Sequence, residues 1–207
     1  MSGLRYFARD QHWLWITAAG LLAAAVAFLL GPTSVQITSR ANYLPLTSAA
    51  TLLPAIAIQA TLGRFATPAY RLSSRDMRWW ALLHIVGGTL FAALCLALAL
   101  LPAWFEAAGL SGAQAESELR VGAPAMIRCL IAYTGTALIA MRVIGVRFAW
   151  VAPLMWVMIP FVVPAYRIDD PLGLVLLPIQ PDRAIAPWIL AIGLWVLGVA
   201  LTLLRVR

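Results

Sequence analysis

Apolar positions along this chain gather into long blocks, several of 17 or more residues with almost no charge, separated by short charged or proline-bearing segments. About 20 consecutive apolar residues cross the roughly 30 Å hydrocarbon core of a bilayer, so blocks of this length predict transmembrane helices. The pattern places them at roughly 13–30, 46–62, 79–102, 121–141, 148–165 and 186–204, each bounded by charge or Pro. The second and fifth are short, and Pro54, Pro153 and Pro160 interrupt them. Such prolines are tolerated where neighbouring helices cover the freed backbone groups. The expected fold is an all-α membrane protein: a single transmembrane domain over residues 1–207, built as a bundle of six helices with an interfacial helix before the first.

The first block superficially offers a secretory leader, but 13–30 is long for one and Gly31-Pro32 makes a poor cleavage site, so a retained first helix is expected. Arginines set the orientation. With six spans, Arg5, Arg9, Arg64, Arg71, Arg75, Arg78, Arg142, Arg147, Arg205 and Arg207 fall on one side, accompanied by Asp10 and Asp76. Only Arg40, Arg120, Arg167 and Arg183 fall on the other, with Glu106, Glu116, Glu118, Asp169, Asp170 and Asp182. Positive charge is retained in the cytoplasm, so both termini are expected there. Trp13, Trp15, Trp79, Trp80, Trp104, Trp150, Trp156 and Trp188 lie where interfacial belts form, and anchoring is their simplest reading.

Composition agrees: 63% of the 207 residues are hydrophobic and 11% charged, whereas soluble domains are about half apolar and a quarter charged. The net charge of +7 comes from 15 Arg against 8 acids, with no Lys in the chain. That excludes the P-loop lysine that reaches nucleotide phosphates. The arginines sit at helix ends and not in one stripe, which argues against nucleic acid as a partner. Cys95 and Cys129 lie inside apolar runs with no metal-ligand spacing, so neither a metal site nor a disulfide framework is expected.

The basic segment 63–78, GRFATPAYRLSSRDMR, is the most informative loop. Ser73, Ser74 and Asp76 suit a helix start, while Arg71, Arg75 and Arg78 recur on one side opposite Tyr70, Leu72 and Met77. A short amphipathic helix at the membrane surface is expected; a basic loop that only orients the chain is the plainer alternative. The N-terminus, LRYFARDQHWLW, is a second interfacial candidate, or a simple anchor. The apolar stretch PLGLVLLP at Pro171 to Pro178 is too short to cross, which leaves a dip into the outer leaflet or an external loop.

Ionisable groups inside a bilayer are functional candidates. Arg128 lies about two turns into the fourth block, where snorkelling outward toward Glu116, Glu118 or a lipid headgroup, or helix pairing, is favoured over substrate contact. His84 is expected near the cytoplasmic interface as a hydrogen-bonded packing residue, with a proton relay the sharper alternative. Gln59, Tyr133 and Thr134 are polar groups suited to bonding across helices, and would line a path only on a face shared with a second subunit. Intramembrane enzymes fail on residues: there is no serine-protease setting around Ser111, no HExxH at His12 or His84, no aspartyl pair within a block, and no metal-binding set around Asp169-Asp170.

Three elements together resemble the membrane subunits of ATP-binding-cassette exporters of the second type: the N-terminal interfacial segment, the basic helix at Tyr70 to Arg78, and the dipping element at Pro171 to Pro178. The stretches LLPAIAIQATLGRFATPAYRLSSRDMRWWALLHI and RCLIAYTGTALIAMRVIGVRFAWVAPLMW look like small permease subunits of GC-rich actinobacteria. The resemblance is one of architecture and texture over most of the chain. It implies a multi-pass protein of the bacterial plasma membrane whose path forms with a second permease subunit, identical or homologous. It also implies a separate cytosolic ATPase that carries ATP and Mg, seated on a coupling helix with Tyr70, Arg71, Ser74, Arg75, Asp76 and Arg78. This chain would bind no cofactor and supply no catalytic residue. The implied substrate is hydrophobic or amphipathic: a peptide, lipid or drug. At 207 residues the chain is short for the family. A carrier that needs no ATPase would require paired ionisable groups at mid-membrane, which the residues do not offer; a non-transporting scaffold or immunity subunit fits the same composition.

Overall fold

The computed structural model describes residues 12–30, 34–36, 43–62, 77–108, 123–162 and 185–205, with side-chain surroundings over 13–29, 48–62, 78–101, 123–160 and 185–204. The described chain is helical apart from one short hairpin, a break at Thr51 and the turns at 144–150. Helix α1 spans His12–Leu30. Strands β1, Ser34–Gln36, and β2, Tyr43–Pro45, pair antiparallel with Val35 opposite Leu44. Helices α2, Leu46–Ala50, and α3, Leu52–Leu62, follow. Helix α4 runs over Met77–Ala108, α5 over Ala123–Val143, α6 over Val151–Val162 and α7 over Ile185–Arg205.

Local chemistry explains where these helices depart from the apolar blocks. The block at 46–62 is broken at Thr51, between α2 and α3. Pro54 has no N–H for the carbonyl of Ala50, and its ring crowds that carbonyl, so a continuous helix is interrupted there. The Thr51 hydroxyl at the break donates to the Ser48 carbonyl at 2.7 Å. The block at 148–165 begins late: residues 144–150 form turns, Gly145 has φ +88°, and the described α-helix runs over Val151–Val162. Helix α4 is longer than the block at 79–102, since it runs through Pro102 to Ala108. Its 32 residues make a rod of about 48 Å at 1.5 Å per residue.

The buried side chains form two cores stacked along the bundle. One joins Ala23 and Ala27 of α1, Ala55 of α3, Ala92 and Leu96 of α4, Met126, Cys129 and Tyr133 of α5, Val157 of α6 and Ala191 of α7. The other joins Ile16 of α1, Ile58 and Leu62 of α3, Ala81 and Ile85 of α4, Leu138 and Met141 of α5, Ala149 just before α6, and Val199 of α7. Each of these helices therefore gives one end to each core, and consecutive helices do so in opposite order. The directions alternate from α1 through α3, α4, α5 and α6 to α7, and α5 and α7 run parallel.

Helix α5 is the hub. It packs against α3, α4, α6 and α7, most extensively against α7. Close approach there depends on two glycines. A Cβ on Gly135 would lie 2.5 Å from the Trp195 nitrogen, and one on Gly198 would lie 2.7 Å from the Gly135 carbonyl oxygen. Small residues that let two backbones meet are a device of membrane helix pairs, where dispersion and polar contacts, not water exclusion, hold helices together.

Three helical segments are long and apolar enough to cross a membrane: Arg78–Leu101 of α4, Ala123–Val143 of α5 and Ile185–Leu204 of α7. The apolar helices at Trp13–Leu29, Ser48–Leu62 and Val151–Pro160 are shorter. The outer surface carries large apolar side chains, among them Leu21, Phe28, Leu90, Leu94, Ile189 and Val196. Water-soluble monomers rarely expose apolar patches of this extent; a lipid-facing surface does.

Candidate functional site

The polar groups within the bundle fall into two sets, one in each core. The first lies where the C-terminal end of α3, the N-terminal parts of α1 and α4, and the turn after α5 meet. His84 is 1% exposed, and its Nε2 stands 2.7 Å from the Thr61 hydroxyl. The Thr61 hydroxyl has a single proton, which points back along its own helix to the carbonyls of Ala57 at 2.8 Å and Ile58 at 2.9 Å. With that proton on a carbonyl the oxygen is left as an acceptor, an arrangement that suits a His84 ring protonated at Nε2. The indole of Trp13 meets the imidazole edge-on, with ring centroids 5.7 Å apart and planes at 70°. Gly87, one turn along α4, leaves room for that indole: a Cβ there would lie 3.1 Å from Trp13.

Gln59 completes this set. Its side-chain amide donates to the Val146 carbonyl at 2.8 Å, bridging α3 to the turn between α5 and α6. One residue of α3 thus bonds α4, through Thr61, and another, two positions earlier, pins the α5–α6 turn.

The second set is carried by α5 alone. Arg128, Cys129, Tyr133 and Thr134 are all fully enclosed. An arginine that snorkels reaches the surface of the bundle; Arg128 does not, and its guanidinium is held inside the protein. Glu116 and Glu118, its expected partners, lie outside the described residues. Thr134 donates to the Leu130 carbonyl at 2.8 Å, within its own helix, the usual way a helical threonine satisfies its proton in an apolar setting. Tyr133 is fully buried and packs in the core with Cys129 of the same helix. Gln59 thus bonds the turn after α5, while the hydrogen bond of Thr134 stays within its own helix.

Gln59, His84, Arg128, Tyr133 and Thr134 thus lie inside one bundle, and none of them is on its outer surface. Of the candidate coupling residues, Arg78 stands exposed on the first turn of α4. Tyr70, Arg71, Ser74, Arg75 and Asp76 lie outside the described residues, as do the N-terminal segment before His12 and the stretch Pro171 to Pro178. No cluster of His, Cys, Asp or Glu able to hold a metal occurs among the described residues.

Sequence reading missed three contacts that shape this region: the Trp13 edge on His84, the Val146 carbonyl as the partner of Gln59, and the backbone crossing at Gly135 and Gly198. Only the last had a signal, since paired small residues in apolar helices mark close crossings. No protein-family model, curated protein or solved structure matches the chain.

Proposed function

We propose that the chain is a permease subunit of an ATP-driven exporter, acting with a second permease subunit, identical or homologous, and with a separate cytosolic ATPase that binds ATP and Mg. The reading draws its main support from one feature: six apolar helices of alternating direction, with Arg78, Arg142 and Arg147 at the same end of the bundle. Under the positive-inside rule that end faces the cytoplasm of a bacterial plasma membrane, and both termini lie with it. The shorter helices α1, α3 and α6 complete six spans together with the residues that flank them.

In this reading the basic segment ending at Arg78 is the coupling element. It joins α3 directly to α4, so a displacement delivered there by the ATPase reaches the Gln59 bridge, the Thr61–His84 bond and the full length of α4. Alternating access then requires the ATP-bound partner to favour one arrangement of the helices over another. The transported molecule is hydrophobic or amphipathic, in keeping with a bundle surface that offers few polar groups.

One observation favours a second reading, a non-transporting scaffold or immunity subunit. The intramembrane polar residues are enclosed within a single bundle and do not line an outer face that a second subunit would share. A detergent pull-down of the tagged chain from its host, with mass spectrometry, separates the two. Recovery of an ATPase that a charge-swapped Arg71/Arg75/Arg78 variant loses is the expected result. Recovery of other membrane proteins with no ATPase, under mild conditions, would favour the scaffold.

A further inference from the structure

The turn between α5 and α6 carries a surface that helix packing does not use. Over residues 142–150, RVIGVRFAW, two groups are pinned: the Val146 carbonyl by Gln59 at 2.8 Å, and Ala149, which is fully buried in the core. The backbone closes on itself around them, with Ile144 N bonded to the Ala140 carbonyl at 2.8 Å and Val151 N to the Phe148 carbonyl at 3.0 Å. Gly145, at φ +88°, adopts a conformation that side-chain-bearing residues rarely take. The turn is therefore built to hold one shape, and what it presents outward is mixed. Arg142, Val143, Ile144, Arg147, Phe148 and Trp150 are all exposed, Val143 to 75%.

Neither arginine has an acidic neighbour on this turn, and the Arg147 guanidinium lies over the Phe148 ring, 5.9 Å from its centroid. Arg142 sits in the last turn of α5, where a cation offsets the helix dipole. Arg147 is in no helix, so that explanation does not extend to it. A rigid turn at the basic end of membrane-crossing helices, with two guanidinium groups beside exposed aromatic and aliphatic side chains, matches one surface closely. The apolar groups suit the acyl boundary, and the guanidinium groups suit phosphates just outside it.

We propose that residues 142–150 form a binding surface for the headgroup of an anionic phospholipid, with Arg142 and Arg147 holding the phosphate and Val143, Phe148 and Trp150 seated at the acyl boundary. Two basic residues at a membrane surface give roughly fivefold preference each for anionic over zwitterionic lipid, about thirtyfold together. The inference rests on the helices lying in a membrane and not on transport, so loss of the ATPase association leaves it standing.

The test is native mass spectrometry of the full chain released from mixed micelles of phosphatidylglycerol and phosphatidylcholine, with inorganic phosphate as a separate arm. The wild type is expected to retain phosphatidylglycerol selectively, and R142Q/R147Q to retain one fewer per chain. R142K/R147K, which keeps the charges, is expected to hold most of that selectivity; size-exclusion profiles verify that the variants are folded. Equal retention of the two lipids by the wild type would overturn the proposal, as would selectivity unchanged in R142Q/R147Q or displacement of the lipid by inorganic phosphate alone. Loss of a bound protein from R142Q/R147Q with lipid retention intact would assign the surface to a protein partner instead, and overturn it equally.

Discussion

A threonine inside an apolar helix spends its single proton on a carbonyl three or four residues back, and Thr17, Thr61, Thr89, Thr134, Thr136 and Thr202 all do so. Among these, Thr61 also faces a ring nitrogen across helices, and a proton held on a carbonyl favours the Nε2–H tautomer in its neighbour. Nitrogen-15 NMR of histidine-labelled protein is therefore expected to show His84 protonated at Nε2, with H12Q identifying the other resonance; an Nδ1–H form would refute the assignment. Thr61→Val should relax that preference. Gln59 belongs to the same scale. Gln59→Leu removes the donor to the buried Val146 carbonyl, and about 1 kcal/mol of stability is expected to go with it, within the range measured for hydrogen bonds between membrane helices. Thermal unfolding in detergent checks this, and an unchanged midpoint would mean that water or another donor replaces the amide.

Among the elements, α5 and α7 carry the tightest constraint. A methyl at Gly135 or Gly198 would meet backbone atoms at 2.5 Å and 2.7 Å, which no side-chain rotation relieves. Gly135→Ala and Gly198→Ala are each expected to destabilise by about 3 kcal/mol, at the upper end of overpacking costs. Gly193 on the same helix has nothing within 4 Å of its added Cβ. Gly193→Ala is expected to be neutral or to stabilise by up to about 1 kcal/mol through helix propensity. Three alanine variants compared by unfolding in the same detergent check the contrast; similar losses at all three positions would contradict the crossing.

The elements also separate what the residues announce from what they conceal. The blocks at 13–30, 121–141 and 186–204 foretell α1, α5 and α7 to within about two residues, because charge and Pro bound each apolar run. Pro54 announces the break at Thr51, whereas the late start of α6 is harder to foresee, since the turn at Gly145 acts on the backbone without altering hydrophobicity. The short hairpin of β1 and β2 lies below the length at which alternation carries a signal. The inner faces were the least legible. A helix that is apolar all round has no polar stripe to mark its outside, so only packing reveals that Arg128 points inward.

For the whole molecule, the two stacked cores hold six apolar helices in alternating directions, and the described arginines outside the interior gather at one end. The exporter reading depends on that end facing the cytoplasm across six spans. The most direct measurement is single-cysteine labelling with a membrane-impermeant maleimide in intact cells, in a background where Cys95 and Cys129 are replaced. Cysteines introduced at Ser2, Arg71, Arg147 and Arg207 are expected to react only after permeabilisation, and those at Glu118 and Asp170 to react before it. Labelling of position 147 from outside the cell, or of positions 2 and 207 from opposite sides, would contradict the six-span arrangement.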